Sequence, residues 1–456
     1  MNPALAGLTD GMPGRPAAVA GGAAVIPDRR WDLLTISLSA YVLTAVGRVH
    51  QLFSFLEPLH LPLLSAGLAV ALYMTQHARV RRLDLVLRQR TTRCVVGLLV
   101  WMALSIPGAL WPGGALAELT DEFGKAALMY VVLASAVRGL LDLERLTFAY
   151  LISVGVYSAV VLSRFSIGGD QWRLASLYYY DANEFATLGV VCLPLAVYFV
   201  VRPRPLWRRL ASAVAGVLIT VGFVWAGSRG GFIALLAVGG LLLVRYRAIR
   251  VGWRLFAAAL LVLVFAATAT DTYWQKMGTI LSPKEDYNVT GQEGRLQLWK
   301  RGMGYMLRNP VFGVGAGNFP TAEGTISPLL RSTPSGRGVK WSVAHNSYVQ
   351  VGAELGIPGL LLFLILLRSA FGALSTIGRS NPSLASDERG PPAGQLAEAL
   401  AASLVGYVVG AFFLSLAYRD LLMVLIGLIA GLRKVTGPPP RPIPRLAVSR
   451  AMPWRS

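Results

Sequence analysis

Long, continuous apolar runs separated by short polar connections dominate this chain. The runs fall near 31–47, 58–76, 94–111, 123–138, 146–163, 184–201, 210–226, 230–244, 254–270, 343–367, 396–417 and 420–433. Each approaches the roughly 20 residues that a helix needs to cross a bilayer core. A transmembrane barrel is not expected, because its strands alternate apolar and polar positions. The pattern predicts an all-α polytopic membrane protein with about twelve transmembrane helices. The seventh and eighth runs are separated only by Gly227-Ser228-Arg229-Gly230. One long segment, 271–342, interrupts the series.

Composition narrows the class. The chain is 54% hydrophobic and 14% charged. So few charges cannot cover the apolar surface of a soluble protein of this size, and disorder requires low hydrophobicity. The net charge of +20 would suggest nucleic acid in a soluble chain. Here the basic residues serve as topology signals, and no nucleic-acid partner is expected. Counted over alternate connections, 28 of the 43 Lys and Arg lie on one side. Of the remainder, all but 6 fall in 271–342, and long loops obey the charge rule poorly. Both termini are therefore expected in the cytoplasm and 271–342 outside. The organisation reads as a flexible cytoplasmic tail (1–30), helices one to nine (31–270), an outer, periplasmic loop (271–342), helices ten to twelve (343–433) and a basic cytoplasmic tail (434–456). Cys94 and Cys192 sit in apolar stretches without metal-ligand spacing and read as buried free thiols.

Within the outer loop, Leu296, Trp299, Met303 and Met306 recur at helical spacing. They predict an amphipathic helix whose Arg295 and Lys300 face water or lipid phosphate, ended by Asn309-Pro310. The run Gly313-Val314-Gly315-Ala316-Gly317-Asn318 follows no strand and lacks a Lys-Ser/Thr pair, so it does not read as a nucleotide loop.

The predicted topology puts the N-terminal ends of helices six, eight, ten and twelve on the outer face. Each carries polar residues: Asp181-Ala182-Asn183-Glu184 after Arg173, Ser228-Arg229, Ser342 to Tyr348, and Arg419-Asp420. Helix N-termini with nearby arginines favour anions. Plainer readings stand beside this. Asp181 and Glu184 have capping-box spacing, Ser342 suits an N-cap, and Arg419-Asp420 suits an interfacial ion pair. Arg229 resists a plain reading, because it sits in a very short turn beside Gly230 and Gly231, which would let a ligand approach the backbone. Its planar fork suits a diphosphate. His345, placed in the first turn of helix ten, is expected to be neutral and able to act as general base. Asn346 and Tyr348 are candidates for the acceptor. His50 and His60 flank the first outer loop, and His77 falls on the cytoplasmic side. The outer loops carry no D-x-D pair and no ligand-spaced cluster, and no G-x-S-x-G elbow occurs, so neither metal nor cofactor is expected.

These residues resemble the bacterial O-antigen ligase/O-antigen polymerase superfamily. The matching pieces are Arg173 followed by Asp181-Ala182-Asn183-Glu184-Phe185-Ala186; Ser228-Arg229-Gly230-Gly231; Arg295-x-x-x-Trp299; Asn309-Pro310-Val311-Phe312-Gly313-Val314-Gly315; and His345-Asn346-Ser347-Tyr348 leading into Glu354-Leu355-Gly356-Ile357-Pro358-Gly359-Leu360. Ala182 stands where the family more often has proline. The resemblance implies metal-independent, inverting glycosyl transfer at the outer face of the bacterial inner membrane. The donor would be a glycan on undecaprenyl diphosphate. The acceptor would be lipid A–core for a ligase, or a second lipid-linked glycan for a polymerase. The family's diphosphate arginines map onto Arg229, Arg295 and Arg173, and its histidine onto His345. A secondary transporter is the main rival, but it predicts inverted repeats and broken helices, which the sequence does not display. A non-catalytic scaffold gives no reason for Arg229 and His345 to share a face.

The charge distribution predicts that reporter fusions at Lys284 and Arg379 report opposite sides of the membrane. Two cytoplasmic signals would dismantle the outer site.

Overall fold

The computed structural model describes residues 31–166, 172–174, 177, 179–202, 205–245, 251–282, 287–291, 294–332, 340–380 and 393–437. The predicted tail 1–30 lies outside these residues, as does the predicted tail 434–456 beyond residue 437; its first residues continue the last helix to Thr436. The chain divides after Trp31, and Asp32 onward forms one unit.

The described residues contain helices and no strand. The main helices are α1 (Leu33–Ala45), α2 (Leu61–Met74), α3 (Arg90–Ser105), α4 (Gly124–Ala136), α5 (Leu140–Arg164), α6 (Ala182–Val201) and α7 (Leu206–Ala226). They continue with α8 (Arg229–Arg245), α9 (Val251–Thr268), α10 (Arg295–Arg308), α11 (Ser347–Ser380), α12 (Ala393–Gly410) and α13 (Asp420–Thr436). A helix thus occupies each apolar run. Among the described residues, however, eight helical segments are long and apolar enough to cross a membrane, against the twelve expected. α2 and α3 reach that length only with their adjoining 3-10 turns, as Ser54–Met74 and Arg90–Gly108; the short ones are α1 and α4, with 13 residues each, and α8 and α13, with 17 each. At 1.5 Å per residue they rise only about 20–25 Å, less than the ~30 Å core.

Burial orders the bundle. Most of α6 is buried, and its neighbours α5, α7 and α12 close around it through small residues. A Cβ on Gly155 of α5 would meet Ala215 of α7 at 2.8 Å, and one on Gly410 of α12 would meet Thr187 of α6 at 2.3 Å. Such residues let helix backbones approach closely, which drives association in a bilayer. By contrast, α2 and α9 turn most of their apolar side chains outward, as lipid-facing helices do. Both cysteines are buried and free, as expected.

Polar pins hold the basic end of the bundle. Arg138 bridges Asp32 at the start of α1 (2.7 Å) and Asp142 on α5 (2.9 Å). Lys434 donates to the carbonyls of Ala134, Ser135 and Val137, which α4 leaves unpaired at its end.

The segment 271–342 carries several helices rather than one, including Asp271–Gly278, α10 and Phe319–Thr325. In α10 the apolar face differs from expectation. Leu298, Gly302 and Tyr305 are buried, whereas Leu296 and Met303 are exposed. The buried face is set by an ion pair that hydropathy does not reveal. Arg301 grips Glu323 through Nε and Nη2 (2.7–3.0 Å), and Tyr305 Oη donates to the same carboxylate at 2.8 Å.

The glycine run docks onto α11. Val314 N donates to Ala353 O, Gly315 N to Glu354 O and Ile357 N to Pro310 O. These bonds cluster where α11 breaks at Gly356, whose φ of 68° is left-handed. A Cβ there would lie 2.4 Å from Val311 O. The helix is therefore interrupted, contrary to expectation, and the absence of a broken helix no longer argues against a transporter. It also runs on to Ser380, making helix of part of the connection expected at 368–395.

Glu323 is fully buried and Arg301 nearly so. Arg301→Ala should destabilise the protein by about 3–5 kcal/mol, because it strands a buried carboxylate. Thermal denaturation in detergent checks this, and Glu323→Gln in the same background should recover part of the loss.

Candidate functional site

The tight turn between α7 and α8 is the foundation. Gly227 adopts φ 59°, and a Cβ on it would strike Trp172 at 2.6 Å. Ser228 Oγ accepts from Gly231 N at 3.1 Å and caps α8. This leaves Arg229 at the first position of α8, half-buried, its Nη1 donating to Thr279 Oγ1 at 2.7 Å. Leu174 N donates to Trp225 O at 2.9 Å, which ties the Trp172–Arg173 stretch to the same turn. Both adjacent glycines serve close packing, Gly230 against the Phe413 ring and Gly231 against Ala186. Gly230 also lines the cleft above the turn, whereas Gly231 does not.

Four cationic side chains meet above this turn. Arg173, Arg229, Lys276 and Arg295 line one cleft of about 440 Å³, together with Trp172 and Asn183. Among the described residues, no acidic one lines it. Like charges this close repel, and the repulsion is relieved by a bound anion. The three arginines were named from sequence. Lys276 was not, because it belongs to the separate helix Asp271–Gly278, which has no distinguishing motif. Asn183 lay inside a quoted motif without an assigned role.

The α6 end is a capping box. Asp181 Oδ1 accepts from Asn183 N and Glu184 N (2.7 and 2.8 Å), and Glu184 Oε2 accepts from Asp181 N at 3.0 Å. The plainer reading of this pair holds. That of Arg419-Asp420 does not, because the two face different helices. Arg419 pairs with Glu122 at 2.8 Å, and Asp420 sits 3.6 Å from Arg48.

His345 is not in the first turn of its helix. The helix begins at Ser347, and Asn346, not Ser342, supplies the cap: its Oδ1 accepts from Tyr348 N and Val349 N at 2.9 and 3.0 Å. His345 precedes the cap in a left-handed conformation (φ 48°). Such strain in a non-glycine residue costs about 1–3 kcal/mol and collects at functional sites. Burial lowers the imidazole pKa to about 4, reinforced by the Arg295 guanidinium and Lys340 and opposed by Asp181. The ring is neutral, as expected, although the leading cause is burial rather than the helix end. It does not itself line the cleft, but it interacts electrostatically with Arg295, which does, and with Asp181 at the head of α6. Tyr348 donates its hydroxyl to Val408 O at 2.8 Å, so it pins α11 to α12. His50 and His60 do not line the cleft. Among the described residues, no group of three or more His, Cys, Asp or Glu is placed to hold a metal.

Residues 214–364 match the family model for O-antigen ligase. The matched stretch contains Arg229, Lys276, Arg295 and His345, and it bears out the resemblance to the O-antigen ligase/polymerase superfamily. Arg173 lies ahead of it. No curated protein matches the chain. The apolar helices mark a multi-pass membrane protein, and the O-antigen ligase match implies an enzyme of the glycosyltransferase type.

In the free protein, the His345 ring should titrate near pH 4, and Arg295→Gln should raise that value by removing a positive neighbour. NMR of ¹⁵N-histidine-labelled protein checks this; titration at or above 6.5 in the unmodified chain would contradict the site electrostatics.

Proposed function

We propose that the protein is an inverting glycosyltransferase that moves a glycan from undecaprenyl diphosphate to lipid A–core at the outer face of the bacterial inner membrane. The convergence of Arg173, Arg229, Arg295 and Lys276 in one cleft, with a neutral histidine electrostatically coupled to Arg295, carries this reading. Four cations suit a diphosphate, and the arginines among them can each donate to two oxygens at once. The acceptor hydroxyl attacks the anomeric carbon from the face opposite the diphosphate. As that C–O bond forms, the bond to the diphosphate oxygen breaks, its electron pair leaves on that oxygen, and the guanidinium groups stabilise the resulting negative charge. His345 takes the acceptor proton. Donor binding prepares the base, because the diphosphate neutralises the Arg295 charge that disfavours imidazolium and so raises its proton affinity. Arg229 donates to the diphosphate in both ground and transition states, so its loss should affect binding and rate.

The ligase assignment follows the family description. Polymerases of the same superfamily use a second lipid-linked glycan as acceptor, and a purified assay offering both acceptors separates the two. A transporter is disfavoured by the position of Arg229 and Arg295 at helix N-termini rather than midway along helices.

Hydrogen bonds to charged groups contribute about 1.5–3 kcal/mol each. Arg229→Ala should therefore lower activity by about ten- to a hundredfold. Arg229→Lys should recover only part, since the fork is lost. Wild-type turnover in folded Arg229→Ala would remove the residue from the site. Because cations already occupy the cleft, turnover should survive excess EDTA. Loss on chelation, restored by magnesium or manganese, would point to a metal-dependent transferase.

A further inference from the structure

Away from the cleft, a second cavity of about 630 Å³ opens along α3 at the surface of the bundle. Val96, Val100 and Leu104 form one wall, each exposed, and Leu362 of α11 forms the other. The groove exists because residue 97 is glycine. A Cβ there would already approach Leu362 Cδ2 at 3.3 Å, so a larger side chain would fill the space. At the other end the chemistry changes. Arg93, exposed, closes the groove, one turn beyond exposed Arg90 and beside the arginine-rich helix Arg79–Leu87. Neither Arg90 nor Arg93 has an ion-pair partner among the described residues, and the one acid nearby in sequence, Asp84, is taken by Arg88.

We infer that this groove holds one acyl chain of an anionic glycerophospholipid whose phosphate sits on Arg93. The length supports a lipid of one leaflet. From Arg93 to Leu104 is 11 residues of helix, or about 16 Å at 1.5 Å each. That is roughly half of a ~30 Å hydrocarbon core. The charge supports an anionic headgroup, since basic pockets between spanning helices favour anionic lipids. The floor reaches the α11 break. Trp101, which lines the groove, donates Nε1 to Leu355 O at 3.0 Å beside the α11 break and stacks on Phe312 at 5.0 Å.

The test is native mass spectrometry of the full-length protein released from nanodiscs containing equal phosphatidylglycerol and phosphatidylethanolamine. Wild-type protein should retain one phosphatidylglycerol in several-fold preference. Arg93→Gln should lose that preference while still binding a lipid. Gly97→Leu should lose the retained lipid. Equal retention of the two lipids by wild type, or unchanged retention in Gly97→Leu, would overturn the inference. So would retention of an isoprenoid phosphate in place of phospholipid when both are supplied. Lipid retention is read without turnover, so its outcome is independent of the transferase reading.

Discussion

Mutual repulsion among Arg173, Arg229, Lys276 and Arg295 is the constraint on which the site depends. Each comes from a different part of the chain. Four cations stay together only if stiff structure holds them there. The α7–α8 turn supplies it, through left-handed Gly227, the Ser228 cap and the bond between Leu174 N and Trp225 O. The α6 capping box sets Asn183 at the same rim. The cleft is consequently preorganised for negative charge, and reorganisation at the moment of reaction is avoided.

The rest of the outer segment serves the same end. Arg301, Glu323 and Tyr305 lock α10, which carries Arg295, onto the helix Phe319–Thr325. The glycine run then fastens that assembly to α11 at the Gly356 break. Trp299 donates to Ala344 O at 3.2 Å, so the backbone next to His345 is held by the helix that carries Arg295. This bond, with the packing of Leu298 and Trp299 beside Ala344 and Val349, joins His345 mechanically to the cationic cleft. A neutral, strained histidine beside a guanidinium is stable only because these bonds overdetermine its position.

Sequence disclosed the helices because apolar runs of this length have no other stable form in a bilayer. It disclosed Arg229 because a charged residue between two apolar helices has few structural excuses. The capping box was legible from spacing alone. Lys276 was not, since its position depends on how a loop helix folds back over the bundle. The α10 face was misjudged because Arg301 is buried by its pairing with Glu323, while Leu296 and Met303 are exposed. The start of α11 was placed too early because apolar Val343 and Ala344 resemble helix. The asparagine cap and the left-handed residue before it can be seen only in three dimensions.

The central claim is that the cationic cleft binds the donor while His345 performs a separate proton transfer. Measuring donor affinity and turnover on one purified His345→Gln protein tests it most directly. The account predicts donor affinity near that of the unmodified protein and turnover lower by about 10²–10⁴-fold. Near-normal turnover, or parallel loss of affinity and turnover in a folded protein, would contradict it.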